Sequence, residues 1–406
     1  MTERCRKSVI YVWNYLEWGG VQTSIISLIR EVRKHYQVLV VMPTDSSPEL
    51  RSLLEQEGAE CEFFGPAADL GPARTVRARI GRRIRIIRSE WALLKFLGKK
   101  HLSDAIIHID LAPQKSFLTV AALCSRTHVF FTIHNPFPLN GFVRETSWRL
   151  KLRFLSWTSR LHLFAANENA KQSFIPYLSS SPADQITLIR DAINPPQIKN
   201  VLEQEFDRHN TLARLSVQSD RFIVLTVGQF IDRKGRWPYL EAVRSLVKKR
   251  KDLMFLWVTP EPTSDADLKR VESYEAEASF KMVLSREVGR SREDLLKFFR
   301  VADLFVLPSY VEGVPIALLE AMAIGIPCIS TNVNGIPEAI RSEETGLLIE
   351  PGNPGALAEA VERIIDDRDL ADRLATGGRQ YVLEKFDDQE SARIALEKYD
   401  ACLDWT

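Results

Sequence analysis

Cysteine is scarce in this 406-residue chain: five residues, at 5, 61, 124, 328 and 402, with no Cys-x-x-Cys pair. An odd, scattered set argues against a disulfide-stapled fold and reads as reduced thiols in a cytoplasmic protein. Long apolar runs are missing too. No stretch approaches the ~20 apolar residues of a membrane span. The run from Ser8 to Trp13, behind Arg4, Arg6 and Lys7, is too short for a signal peptide and reads as a first strand. The expectation is a soluble protein, at most peripheral to a membrane. An excess of one charge is absent, the net charge being +1. With no recognised nucleic-acid-binding module, that balance argues against a nucleic-acid partner. No internal repeat and no low-complexity tract is present.

What remains is ordinary globular composition, 45% apolar and 26% charged, in a chain long enough for two domains. The near-zero charge hides an asymmetry. Residues 1–190 carry 26 Lys+Arg against 16 Asp+Glu (+10), leaving 28 against 37 (−9) for the remainder. Halves of opposite sign suggest different partners.

Apolar runs at Val9–Trp13, Tyr36–Met42, Ala105–Ile109, Val129–Ile133, Leu161–Ala165 and Ile186–Ile189 alternate with helical periodicity. The alternation predicts a parallel sheet covered by helices. Charge-rich, weakly periodic sequence from about 195 to 219 reads as a linker. The scheme then repeats with strands at Phe222–Val227, Phe255–Val258, Leu304–Leu307, Cys328–Ser330 and Leu347–Ile349. The expected architecture is α/β: two Rossmann-like doubly wound parallel-sheet domains, 1–195 and 196–380, facing a cleft. Ligands bind such sheets at the carboxyl ends of their strands. The segment from Tyr381 to Tyr399 reads as a further helix.

The densest chemical signal lies between 303 and 346. A strand ends in Pro308-Ser309-Tyr310, followed by Glu312, Gly313 and a helix opening near Pro315. Proline suits a first helical turn, and the amides of Gly313, Val314 and Ile316 would face an anion there. Glu320, flanked by Leu318, Leu319, Ala321 and Met322, needs a partner, because an unpaired carboxylate in apolar company is costly. Sugar or ribose hydroxyls would serve. Alone, two glutamates eight apart read as a helix cap and a residue on a polar face. The turn Gly228-Gln-Phe-Ile-Asp-Arg233-Lys234-Gly235 changes that, since adjacent Arg and Lys at a strand end can neutralise a diphosphate leaving group.

In combination, Gly-x5-Lys-Gly, Glu312-x7-Glu320 continuing to Gly325, Asn334-Gly-Ile-Pro-Glu338 and Thr345-Gly346 resemble glycosyltransferase family 4, retaining enzymes of the GT-B fold. The resemblance is dense over about 222–366. It is patchier at Gly19-Gly20-Val21-Gln22, His108, Thr132-Ile-His134 and Arg190–Asn194. It implies that Glu312 contacts the transferred sugar, with His134 opposite it from the other domain. Gly313, Val314, Pro315 and Ile316 would hold phosphate and sugar, Glu320 the ribose, and Lys234 with Arg233 the diphosphate. Gly20 would let its helix approach the phosphate, with Gly19 and Gln22 on the acceptor side. The N-terminal domain would receive a glycan or lipid-linked acceptor, and the last helix, about 381–406, would pack back on it. No metal and no cofactor beyond the nucleotide-sugar donor is implied.

Departures stand beside this pattern. Gln229 occupies a place where many members have Arg; Asp191-Ala192-Ile193-Asn194 replaces Asn-Gly-x-Asp; and the base-binding segment reads Val283-Leu-Ser285-Arg286. His134 follows an apolar run at a strand's carboxyl end, a position aimed at the cleft. Asp265-Ala-Asp267 resembles a metal-binding pair but follows Pro262-Thr-Ser and reads as a helix start. The stretch Arg74–Arg88 holds seven arginines in fifteen residues with isoleucines between them. It suits either an anionic membrane surface or a solvated helix packed by its isoleucines. A second basic-aromatic stretch runs from Arg144 to Arg160. The competing functional readings are a sugar-nucleotide epimerase and a non-catalytic binding protein of the same fold.

Overall fold

The computed structural model describes residues 7–13, 20–67, 75–109, 116–137, 141–178, 186–276, 278–289 and 291–403. The chain divides into two compact units: Met1–Asp191 with Asp388–Thr406, and Ala192–Asp387.

In the first unit, β1 (Ser8–Val12), α1 (Gly20–Val32), β2 (Gln37–Met42), α2 (Pro48–Gln56), β3 (Glu60–Phe63) and α3 (Val76–Leu97) come first. They are followed by β4 (Ala105–Ile109), α4 (Phe117–Cys124), β5 (His128–Ile133), α5 (Phe142–Leu155), β6 (Leu161–Ala165), α6 (Glu168–Phe174) and β7 (Ile186–Leu188). The strands form one parallel sheet in the order β3-β2-β1-β4-β5-β6-β7. Unbroken apolar runs fit because both faces are covered. Leu93 and Leu97 of α3, Val120 and Leu123 of α4, and Leu152 and Leu155 of α5 pack on one face. The other face carries Ile25, Ile29 and Val32 of α1 and Leu50 and Leu54 of α2.

The second unit opens with α7 (Pro195–Glu203) and α8 (Arg208–Arg214), where a linker was expected. The Asn194 side chain caps α7, accepting from the Gln197 amide, and Asp207 caps α8. Ile198, Val201 and Leu212 are buried, so helices too short to show clear periodicity are secured by caps and a few apolar anchors. Then follow β8 (Phe222–Val227), α9 (Arg236–Lys249), β9 (Leu253–Thr259), α10 (Asp265–Glu272), β10 (Phe280–Leu284), α11 (Ser285–Val288) and α12 (Arg292–Phe299). The rest is β11 (Leu304–Leu307), α13 (Ile316–Ile324), β12 (Cys328–Thr331), α14 (Ile336–Ala339), β13 (Leu347–Ile349), α15 (Pro354–Asp366) and α16 (Arg368–Lys385). Its parallel sheet runs β10-β9-β8-β11-β12-β13.

The segment expected as one C-terminal helix is broken at Phe386-Asp387. Beyond the break, α17 (Asp388–Leu403) belongs to the first unit. There Ala392, Ala395, Tyr399 and Leu403 join the α1 and α2 side of the core.

Candidate functional site

After β8 the chain makes a single 3-10 turn, Asp232–Lys234, ended by Gly235 at φ 73°, ψ 26°. A Cβ at Gly235 would lie 1.9 Å from the Pro308 carbonyl oxygen, so glycine alone lets this turn press on the loop after β11. The Tyr310 amide then donates to the Arg233 carbonyl at 2.8 Å, tying the two loops together. Indole Nε1 of Trp257 donates to the Gly228 carbonyl at 2.8 Å. Arg236 and Trp237 donate to Asp232 at 2.9 and 2.7 Å. The basic turn is therefore rigidly braced.

This bracing sets two cations against Glu312. Lys234 Nζ donates to Oε1 at 2.5 Å, and the Ser309 hydroxyl donates to the same oxygen at 2.7 Å. Arg233 Nη1 lies 3.3 Å from Oε2 and donates to the Val311 carbonyl at 2.9 Å. Glu312 is only 6% exposed, which such an ion needs charge-assisted partners to tolerate. Ser309 is itself fully buried, its carbonyl accepting from the Thr331 hydroxyl at 2.6 Å. The isolated-glutamate reading is thus corrected: Glu312 does not cap α13, whose N-cap position is Pro315, with no side-chain bond. Gln229 is exposed and its amide approaches Glu261 at 3.5 Å, while Arg233 takes the second cationic place beside Glu312.

Among the described residues the amides of Gly313, Val314 and Ile316 donate to no protein acceptor. They precede or open α13, where free N–H groups and the helix dipole favour an anion. Gly335 packs so closely that a Cβ there would come 2.5 Å from the Gly313 carbonyl oxygen, fixing that loop from behind. Along α13, Glu320 is 4% exposed, so it does not sit on a polar face. Its Oε1 accepts from Arg292 Nη2 of α12, and its Oε2 has no hydrogen-bond partner among the described residues. Burial pushes the Glu320 carboxyl above its ordinary pKa, opposed by the charge and hydrogen bond of Arg292.

In the first unit, His134 follows β5 and is 9% exposed, with Nδ1 3.1 Å from Asp191 Oδ2. The Asn167 amide donates to the His134 carbonyl at 2.7 Å while its oxygen caps α6. Gly20 is the first residue of α1 and Gln22 lies in the same turn; Gly19 falls outside the described residues. His108 is buried between Tyr399 and Thr132, as a core residue. Asp265–Asp267 opens α10, with the Ser264 hydroxyl accepting from the Asp267 amide, as a helix start requires.

The structure thus groups Arg233, Lys234, Glu312 and the 313–316 amides, with Glu320 farther along α13. Three partners were not singled out from sequence: Ser309, Arg292 and Asp191. Only Glu320's apolar flanks signalled that a partner such as Arg292 had to exist.

Residues 207–381 match the family described as Glycosyl transferases group 1, and residues 18–195 match Glycosyltransferase Family 4. The chain is 29% identical over 213 residues to a D-inositol 3-phosphate glycosyltransferase of Paenarthrobacter aurescens, covering 52% of each. It is 25% identical over 228 residues to the capsular polysaccharide biosynthesis glycosyltransferase CapM of Staphylococcus aureus, covering 56% of each. The chain therefore spans about half the length of these curated relatives. Anabaena HepE, solved in complex with UDP, superposes with a TM-score of 0.75 at 16% identity, over 97% of this chain and 100% of that one. Such a likeness shows the two-sheet GT-B fold.

Proposed function

We propose, starting from a chain that belongs to glycosyltransferase family 4, that it is a retaining transferase moving a sugar from a nucleotide-sugar donor to a glycan or lipid-linked acceptor. The observation that carries this reading is the buried Glu312 carboxylate, held by Ser309, Lys234 and Arg233 beside three amides with free N–H groups. In this reading the donor diphosphate competes with Glu312 for Lys234 and Arg233, which stabilise it as it departs. The Gly313, Val314 and Ile316 amides hold phosphate and sugar, with Pro315 shaping the helix entry. Glu312, relieved of its cations, accepts from sugar hydroxyls near the reacting carbon. Glu320, anchored through Oε1 by Arg292, offers Oε2 to the ribose hydroxyls. His134 remains a catalytic candidate from its place after β5 and its Asp191 brace. We assign no metal to the reaction, because Arg233 and Lys234 can supply the positive charge.

Surface polysaccharide or glycolipid synthesis is the proposed setting, supported by the name of the Staphylococcus relative. We place the reaction in the cytoplasm, against the inner face of the membrane. The support is the helical layer of the first unit. No described helix is long and apolar enough to cross a membrane. Yet Val76, Ile80, Ile84, Ile87 and Trp91 form an exposed stripe down α3 at helical spacing. The isoleucines Ile80, Ile84 and Ile87 therefore do not pack the helix down; only Ser89, Leu93 and Leu97 are buried on it. Phe142, Leu150, Phe154 and Trp157, on or just after α5, are exposed on the same side of the sheet. Exposed Arg77, Arg79, Arg83, Arg85 and Arg88 flank the stripe, while Arg74 lies outside the described residues. Apolar and cationic groups on one layer suit an anionic bilayer.

The test is to incubate the purified protein with UDP-, GDP- and ADP-sugars without acceptor and follow nucleotide release and sugar identity. Slow donor hydrolysis is expected. Conversion to an isomeric nucleotide sugar would establish an epimerase instead, and absence of nucleotide binding would leave a non-catalytic protein.

A further inference from the structure

We infer that His128, His162 and Cys402 form a zinc site that ties the returning helix α17 to the sheet of the first unit. The three residues are far apart in sequence, but the fold gathers them. His128 opens β5 and His162 is the second residue of the neighbouring parallel strand β6, on the face that α17 covers. Cys402, in the last turn of α17, is buried against them. Their ligating atoms all lie within 4.8 Å of one another.

Two groups converge on a single nitrogen. His128 Nδ1 is 2.9 Å and Cys402 Sγ 3.4 Å from His162 Nε2. An imidazole nitrogen carries one lone pair or one hydrogen in its plane, so it cannot bond fully to both. A cation among the three would satisfy all of them. In tetrahedral zinc coordination, with bonds of about 2.0–2.1 Å to nitrogen and 2.3 Å to sulfur, neighbouring ligand atoms lie about 3.3–3.6 Å apart. The sulfur contact already has that length, and the nitrogen contact must open by about 0.4 Å.

Imidazole with thiolate suits zinc rather than magnesium or calcium. Zinc takes the in-plane lone pair of a neutral imidazole, and His128 Nδ1 and His162 Nε2 are the nitrogens turned toward the shared space. Zinc binding displaces the proton of the Cys402 thiol: the S–H bond breaks, a Zn–S bond forms and one proton is released per metal. The Cys402 thiolate supplies the negative charge that offsets the ion, against the nearby positive charges of Arg160 and Lys398. Water can take the fourth position from an adjoining cavity of about 310 Å³ that His162 lines with Thr158, Ser159 and Thr187. The trio sits at the amino ends of β5 and β6, whereas His134 follows the carboxyl end of β5.

The experiment is a Co²⁺ titration of the full chain after chelator treatment, followed by displacement with Zn²⁺. One equivalent should bind with a thiolate-to-cobalt charge-transfer band, and Zn²⁺ should bleach it. Cys402→Ser should abolish the band, and His162→Asn and His128→Asn, which remove direct ligands, should each weaken metal binding by at least the ~10–100-fold that loss of an outer-shell partner costs. Added Zn²⁺ should raise the melting temperature of the parent protein and leave Cys402→Ser unchanged, circular dichroism confirming that each variant is folded. Absence of a thiolate band in the parent, its survival in Cys402→Ser, or unchanged affinity in the folded histidine variants would overturn the site. Metal absorbance is read without donor or acceptor, so the outcome is independent of the proposed transferase activity.

Discussion

Glu312→Gln separates a chemical role from a structural one. The substitution keeps the shape and one carbonyl oxygen, so Ser309 and Lys234 retain an acceptor, while the negative charge and the oxygen facing Arg233 are lost. The pair is well enclosed, with side-chain exposures of 12% for Lys234 and 8% for Glu312. Removing one partner of a buried ion pair costs about 3–5 kcal/mol when the other is left without any acceptor. Here the amide still accepts, so a loss of about 1–3 kcal/mol is expected, or a melting temperature lower by roughly 2–12 °C for a domain of this size. Function should move differently. With the competing carboxylate gone, Lys234 is freer to meet a diphosphate, so UDP affinity should hold or rise. Donor turnover should fall more than about 100-fold, the scale for losing one well-placed polar group at a reacting centre. Urea unfolding followed by tryptophan fluorescence, calorimetric titration with UDP and chromatographic detection of released nucleotide measure the three quantities. Turnover within about tenfold of the parent would refute the role. A parallel fall of affinity and turnover with stability would reduce Glu312 to a structural brace.

Glu320→Ala should weaken nucleotide binding in the same titration, and unchanged affinity would remove Glu320 from the ribose role. Because burial raises the folded-state pKa of Glu320 above its ordinary 4.5, the benefit of its protonated form is fully present below about 4.5 and lost as pH rises through the folded value. The stability of Glu320→Gln relative to the parent should therefore improve as pH is raised from 4 toward neutrality in denaturant titrations, and a pH-independent difference would contradict this. Gly235→Ala should lower stability by about 2 kcal/mol or more, from left-handed backbone cost plus displacement of the Pro308 carbonyl, read as an earlier urea midpoint. Replacing Arg77, Arg79 and Arg85 by Ala should reduce sedimentation with anionic liposomes, and Ile84→Asp should do so even at low salt. Unchanged binding in both would make α3 ordinary surface.

How much of the fold was legible follows from how each strand is buried. Strands such as β9, every residue of which is buried, announce themselves as apolar runs. Two strands were not recognised as such, β3 (Glu-Cys-Glu-Phe) and β10 (Phe-Lys-Met-Val-Leu). Both are edge strands, hydrogen-bonded to a single neighbour and only partly buried, so their composition carries little signal. The same reasoning applies to α7 and α8, where caps and a few buried residues suffice for helices of nine and seven residues. The break between α16 and α17 was invisible because helix-forming residues flank it on both sides. It is made by tertiary structure: the Phe386 ring is buried and its carbonyl accepts from the Ile193 amide.

The site divides along a similar line. Lys234, Arg233, Glu312 and the 313–316 segment were legible because each sits at a strand end or helix start, where local sequence dictates backbone geometry. Their partners were harder to see. Ser309 and Arg292 act through side chains from positions whose residue types have many ordinary uses on loops and helix starts. The pairing of Glu312 with Lys234 changes the chemical picture most. Motif spacing treats carboxylate and ammonium as two separate contacts for a donor, whereas the structure engages them with each other at 2.5 Å. Under the proposed donor assignment, a diphosphate has to break this ion pair to bind, and that exchange would release the carboxylate toward the sugar. On that reading binding and activation are a single event, so the charge of Glu312 should weigh more on turnover than on donor affinity.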